Sequence, residues 1–264
     1  MVVRARLAWM LAAALWPLPA LGQSQAGNPQ EVELLKNDSD PTRPVFFSIR
    51  PEFSNPGPGV TQASLIFRYD QATLRARRFL PGKRGVILRF EVPLAATDLP
   101  GTPARVGLGD AYGQILLVPH LTRTGAFVVG TGLLMPTASD RVLGTGKWIL
   151  APATAPVWFF GPNGMFFIKL QDFVSVGGSA SRPDINFLLI TPTFIRKRID
   201  RWWILADTEL KTNWKREART GVKTGVQVGR GVSARFGIWV KPEVWWGPNR
   251  DGRWNLKFGL VWFR

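Results

Sequence analysis

The chain has 264 residues, 45% of them hydrophobic, a formal net charge of +16 and no cysteine. The missing cysteine excludes a disulfide framework, a thiolate metal site and an acylated N-terminal cysteine. The apolar fraction is too high for a disordered chain, and the excess of Lys and Arg calls for an anionic neighbour.

In chain order, the basic residues Arg4 and Arg6 come first, followed by an apolar run over 7–21 and then Gly22-Gln23-Ser24-Gln25-Ala26. This is the layout of a secretory signal, expected as 1–22 with cleavage as late as 26. Pro17 and Pro19 interrupt the run, which is too short to span a bilayer as a helix. Export sets nucleic acid aside as the anionic partner. It points to phosphate-bearing outer-membrane lipid, lipopolysaccharide included. Residues 27–44 read as a polar N-terminal segment, and its cluster Asn37-Asp38-Ser39-Asp40 lacks the glycine and distal Glu of a calcium loop.

From 45 onward the pattern alternates with period two. Ala63, Leu65, Phe67 and Tyr69 oppose Ser64, Arg68 and Asp70, and Val86, Leu88, Phe90, Val92 and Leu94 oppose Ile87, Arg89 and Glu91. Charge at every second position inside an apolar segment suits a strand with one wet face. Strands are expected near 45–54, 61–70, 84–95, 109–121, 125–136, 146–160, 165–176, 184–197, 201–214, 220–231, 234–246 and 254–263. These are about twelve, an even number, as a closed bacterial barrel requires. Pro152 and Pro156 make 146–160 the least regular of them. No later run approaches the roughly 20 apolar residues of a spanning helix.

The expected fold is therefore an all-β, transmembrane antiparallel barrel over 45–264. Strands of about 10–14 residues are longer than the roughly 5–6 usual in soluble sandwiches, and their outward rows are nearly free of charge. Short connections at 122–124, 161–164 and 198–201 alternate with longer ones at 96–108, 137–145 and 247–253. That alternation puts both termini in the periplasm. The basic stretch 75–84 does not fit it.

The inward rows define the candidate pore lining: Arg50, Glu52, Arg68, Arg89, Glu91, Asp110, Tyr112, His120, Asp184, Arg196, Asp207, Glu209, Lys211, Lys223, Arg235, Lys241, Glu243 and Lys257. Both signs are abundant, so the row reads either as paired charges bracing a closed interior or as the wall of a hydrated pore. Excess positive charge falls in the longer connections, at Arg105, Arg141, Arg182, Lys215, Arg216, Arg219, Arg250 and Arg253, where lipid phosphate is the fitting partner. Trp158, Trp202, Trp214, Trp246, Trp254 and Trp262 are expected at the two membrane interfaces.

Catalysis finds little material. His120 is the single histidine, no Gly-x-Ser-x-Gly turn is present, and Gly144-Thr145-Gly146-Lys147 lacks both the first glycine and the magnesium-binding hydroxyl of a phosphate loop. No cofactor, metal or catalytic residue is expected, and a lipid hydrolase ranks behind a channel and a closed structural or surface-binding barrel. The last strand carries Trp254, Leu256, Phe258, Leu260 and Trp262 on one row. It resembles the C-terminal signal read by the outer-membrane assembly machinery.

Three further segments carry a family resemblance: Val106-Gly107-Leu108-Gly109-Asp110; Leu134-Met135-Pro136-Thr137-Ala138-Ser139-Asp140 leading to Leu143-Gly144-Thr145-Gly146-Lys147-Trp148; and Arg182-Pro183-Asp184-Ile185-Asn186 before Leu188-Leu189-Ile190-Thr191-Pro192. With them the chain from Val106 onward resembles the outer-membrane transporter-like proteins named after the meta-pathway of phenol degradation. The resemblance implies a non-enzymatic barrel that helps small, often hydrophobic or aromatic, solutes cross, with no catalytic residues to carry over. The basic run Phe194-Ile195-Arg196-Lys197-Arg198 departs from that pattern.

Overall fold

The computed structural model describes residues 45–57, 60–73, 85–98, 103–197 and 201–263. The expected signal, the polar segment 27–44 and the basic stretch 75–84 lie outside them. Alternating sequence becomes alternating burial: in β3, each of Ile87, Arg89, Glu91, Pro93 and Ala95 is buried between more exposed neighbours. The strands are β1 (Val45–Gly57), β2 (Val60–Thr73), β3 (Val86–Asp98), β4 (Arg105–Leu108), β5 (Ala111–Leu121), β6 (Gly125–Met135), β7 (Lys147–Phe160), β8 (Gly164–Gly178), β9 (Asn186–Lys197), β10 (Trp202–Asn213), β11 (Arg219–Gly231), β12 (Phe236–Trp246) and β13 (Trp254–Phe263).

Neighbours in sequence pair antiparallel, and β13 pairs with β1, so the sheet closes on itself and leaves no edge in lipid. β4 and β5 lie end to end along β3. Leu94 opposes Leu108, whereas Glu91 opposes Tyr112, one residue out of step. The two are one stave broken at Gly109 and Asp110, and the wall is a closed barrel of twelve staves. Pro152 and Pro156 do not expel 146–160 from the wall: β7 runs through both, pairing them with Thr131 and Phe127 of β6.

We call the end where β1 begins and β13 finishes the near end. Apart from the β2–β3 connection, the turns described there are short, as at 122–124, where the Thr122 hydroxyl accepts from the Gly125 amide at 3.0 Å, and at the 3-10 turn Gly161–Asn163. The far end carries the longer connections 136–146, 179–185 and 247–253.

The polarity of the molecule is inverted relative to a water-soluble domain. Arg50, Lys223, Lys241 and Lys257 are among its most deeply buried side chains, while Trp148, Trp158, Trp246 and Phe90 lie on the exterior. An interior that takes the charges and a surface that takes the large apolar groups is stable only where that surface meets hydrocarbon. The exterior tryptophans form two belts. Trp158, Trp202 and Trp262 mark the near end, where the Trp262 ring lies 5.8 Å from Phe47 and 5.3 Å from Phe236. Trp148, Trp214, Trp246 and Trp254 mark the far end, with Leu88, Ile115, Val129, Val226, Val240 and Leu260 between the belts.

The barrel interior as candidate functional site

The interior has two linings. Along β1, β2 and β3 the inward residues are Arg50, Glu52, Arg68, Asp70, Arg89 and Glu91, three guanidinium groups against three carboxylates. The Arg50 Nε lies 2.5 Å from Glu52, Arg68 pairs with Asp70, the Arg89 Nε lies 2.9 Å from Asp70, and Glu91 lies 3.5 Å from Arg68 and 3.6 Å from Arg50. Along β10 to β13 lysine replaces arginine. Lys241 lies 2.6 Å from Asp207 and 3.1 Å from Glu243, Lys223 lies 3.2 Å from Glu243 and 3.8 Å from Glu209, and Lys257 lies 3.1 Å from Glu243. Lys211 reaches Asp251 of the β12–β13 connection at 2.8 Å. Charges this deep are tolerated because each is paired, and Glu243 is the hub on which three ammonium groups converge.

Three inward tryptophans complete this arc. Trp203 covers Gly229 and Trp239 covers Gly259; a Cβ on Gly259 would lie 2.0 Å from the Trp239 ring, so only glycine admits the indole flat against the wall. Lys223 sits 5.4 Å from the centre of the Trp245 ring.

From β5 to β9 the lining is apolar. Tyr112, Leu134, Ile149, Ala151, Phe173, Ile185, Phe187 and Leu189 form one buried cluster, joined by Ile66 of β2. Leu116, Val118, Val128, Ala153, Ala155, Val157, Met165, Phe167 and Ile195 form another. The Phe173 and Phe187 rings stack with centroids 4.7 Å apart. The polar groups of this arc are few: the Gln171 amide donates to the Tyr112 hydroxyl at 2.9 Å, and Gln114 and Lys169 are buried nearby. Among the described residues no group of His, Cys, Asp or Glu could hold a metal ion.

At the far end the segments at Gly109, at 134–148 and at 182–186 come together around Asp110. Its carboxylate accepts from the Thr145 amide at 2.6 Å, the Thr145 hydroxyl at 2.8 Å and the Ala138 amide at 3.1 Å. The Arg182 guanidinium donates to the carbonyls of Arg141 and, at 3.1 Å, Gly144. Asp110 is thus a fully buried clamp for connection 136–146 rather than an open wall residue.

Of the expected lining residues, Arg50, Glu52, Arg68, Arg89, Glu91, Tyr112, Asp207, Glu209, Lys211, Lys223, Lys241, Glu243 and Lys257 are all buried on inward rows. Four others stand elsewhere. His120 is exposed, because the β5–β6 ladder slips by one residue between Leu117 and His120. The slip sets His120 opposite the outward Phe127 and reverses the alternation. Arg196 is exposed on the outward row opposite Ile204, since the inward residues of β9 are Phe187, Leu189, Thr193 and Ile195. Arg235 is exposed in the turn before β12. Asp184 stands exposed on the far rim, 2.9 Å from the Lys147 Nζ, whose hydrogen bond and charge hold the carboxyl below the usual carboxylate range. Lys147, Lys169 and Gln171 are inward polar groups that the sequence reading passed over. The signal for the latter two was available in the row Phe167, Lys169, Gln171, Phe173. All six expected interface tryptophans are exposed, and Trp148 joins them.

No family model and no curated protein matches the chain. Solved structures do. An outer membrane channel from Pseudomonas putida F1 superposes with a TM-score of 0.66 at 12% identity, covering 89% of this chain and 100% of its own. The KdgM porin gives 0.57 at 10% identity, over 83% of this chain and 99% of its own. The NanC porin gives 0.54 at 7% identity, again over 83% and 99%. At such identities the likeness establishes the fold, that of an outer-membrane β-barrel.

Proposed function

We propose that this protein is a Gram-negative outer-membrane channel for the passive passage of small molecules, hydrophobic or aromatic ones among them. The observation that carries the reading is the divided interior, self-neutralising charge on one arc and an apolar, aromatic lining on the other, inside a wall whose outer face suits only lipid. A path with both linings offers water to the polar part of a solute and contact to its ring. The similar folds of an outer membrane channel and two porins support the same reading. So does the resemblance to the phenol meta-pathway proteins, which favours aromatic solutes.

On this reading both termini face the periplasm and the far end faces outward, where the exposed residues Arg105, Arg141, Lys215, Arg216, Arg219, Arg250 and Arg253 meet lipopolysaccharide phosphates. The C-terminal row ending at Trp262 serves as the assembly signal. The protein works without a cofactor and is not an enzyme. His120 sits beside Phe127 at the near end, away from the far-end polar cluster, which gives a lipid hydrolase no support.

The reading is tested by swelling of proteoliposomes in small uncharged solutes of graded size. Vesicles holding the folded protein swell faster than protein-free ones and the rate falls with solute size; swelling no faster than in the protein-free control overturns the channel in favour of a closed structural barrel.

A further inference from the structure

Charge in the barrel interior is grouped by arc. Along β1 to β3 three guanidinium groups stand against three carboxylates, and along β10 to β13 Lys223, Lys241 and Lys257 stand against Asp207, Glu209 and Glu243. Lys169 lies outside both sets. It sits on the inward row of β8 between Phe167 and Gln171, in the arc that is otherwise apolar. Away from the barrel ends, it is the one charged residue on the described inward rows of β5 to β9.

Beside Lys169 the inner wall is hollow. Ala153 and Ala155 are inward residues of β7 near the midpoint between Trp148 and Trp158, and their short side chains leave an apolar recess of about 30 Å³, walled also by Leu116, Val128, Val157 and Phe167. The β7–β8 register, which pairs Thr154 with Leu170 and Val157 with Phe167, brings Ala155 level with Lys169. Lys169 and Gln114 both line the recess, and each is more than nine-tenths buried. Gln114 stands on β5 opposite Gly132 of β6. An ammonium and a primary amide thus edge a cavity whose other inward walls are hydrocarbon.

We propose that this recess is a binding subsite for small amphiphilic monocarboxylates, aromatic or short alkyl acids whose apolar end enters the hollow while the carboxylate accepts hydrogen bonds from the Lys169 ammonium and the Gln114 amide. The proposal rests on the channel reading, which brings the solute to the site, and narrows that reading to a charge class. Low polarity around an ammonium magnifies its attraction for an anion, and hydrogen bonds made within the pair offset the loss of hydration. A dianion would bring a second charge that the site does not compensate. An uncharged ring gains the hollow and forgoes the ammonium. The hollow seats the leading edge of such a solute, and the remainder lies along the lumen wall against Leu116 and Phe167.

The test is equilibrium dialysis of radiolabelled benzoate against the folded protein in detergent, with benzyl alcohol as the uncharged counterpart and protein-free micelles as the blank. Swelling of proteoliposomes in small uncharged solutes is recorded for the same preparations, and each variant is first shown to keep the heat-modifiable migration of a folded barrel. Wild-type protein binds benzoate more tightly than benzyl alcohol. Lys169→Met, which keeps the length of the side chain and removes its charge, weakens benzoate by at least about tenfold, as expected for losing a hydrogen bond to a charged group, and leaves benzyl alcohol unchanged. Lys169→Arg restores benzoate. Ala155→Leu fills the hollow, keeps the ammonium and weakens both probes. Benzoate bound equally by wild type and Lys169→Met, or by neither, overturns the subsite alone if the vesicles still swell. Binding of benzoate through Lys169 by a protein that swells no vesicle upholds the subsite and overturns the channel reading.

Discussion

The two arcs of the interior are built on the same ladder yet held together by different forces. The arc from β10 through β13 to β3 closes on ion pairs, with Glu243 bridging Lys223, Lys241 and Lys257, whereas the arc from β5 to β9 closes on stacked and interdigitated apolar groups around Phe173 and Phe187. A buried charge is intolerant of losing its partner, while an apolar cluster loses stability in proportion to the volume removed. The charged arc should therefore be brittle and electrically decisive, and the apolar arc more forgiving and electrically silent.

The largest effect is expected at the hub. Glu243→Gln removes one charge from under three ammonium groups and should cost about 3–5 kcal/mol, read as a lower urea midpoint of the refolded barrel, and it should shift ion selectivity toward anions. Phe187→Ala, in the apolar arc, should cost about 3 kcal/mol in the same assay with selectivity unchanged. Equal selectivity shifts in the two variants would erase the distinction between the arcs. Thr145→Val removes one of the three hydrogen bonds to the buried Asp110 carboxylate, at about 1.5 kcal/mol, and should open connection 136–146 to protease before the barrel itself loosens.

The smallest effect is a pH dependence at the rim. Asp184 has a lowered pKa in the folded state, so its contribution is present above the ordinary carboxylate range and disappears as the pH falls through the folded value. Wild type and Asp184→Asn should thus differ slightly in thermal unfolding near neutrality and converge in acid. A difference that grows in acid would contradict the assigned partner, Lys147.

The wall was legible in the sequence because most of the twelve staves alternate over most of their length, and charge on one row fixes which face is wet. β9 shows where that logic fails. Sitting in the apolar arc, it is apolar on both faces, with Leu188, Ile190 and Phe194 outward and Phe187, Leu189 and Ile195 inward, so its alternation carries no phase. Its end carries adjacent Arg196 and Lys197, one on each row, which set no phase, and Arg196 belongs to the lipid-facing row, where a long side chain reaches the interface. His120 was misplaced for another reason, the one-residue slip after Leu117, which no local pattern announces. The ion pairs were legible as residue types on a shared face. The identity of each partner was not, since it depends on the registers of neighbouring strands.

The central claim, that this divided interior conducts, is tested most directly by single-channel recording of the purified protein in planar bilayers. Discrete, reproducible conductance steps are expected, with the Glu243→Gln variant altered in ion selectivity. A silent bilayer across the full range of salt, with protein shown to be folded and inserted, would contradict it.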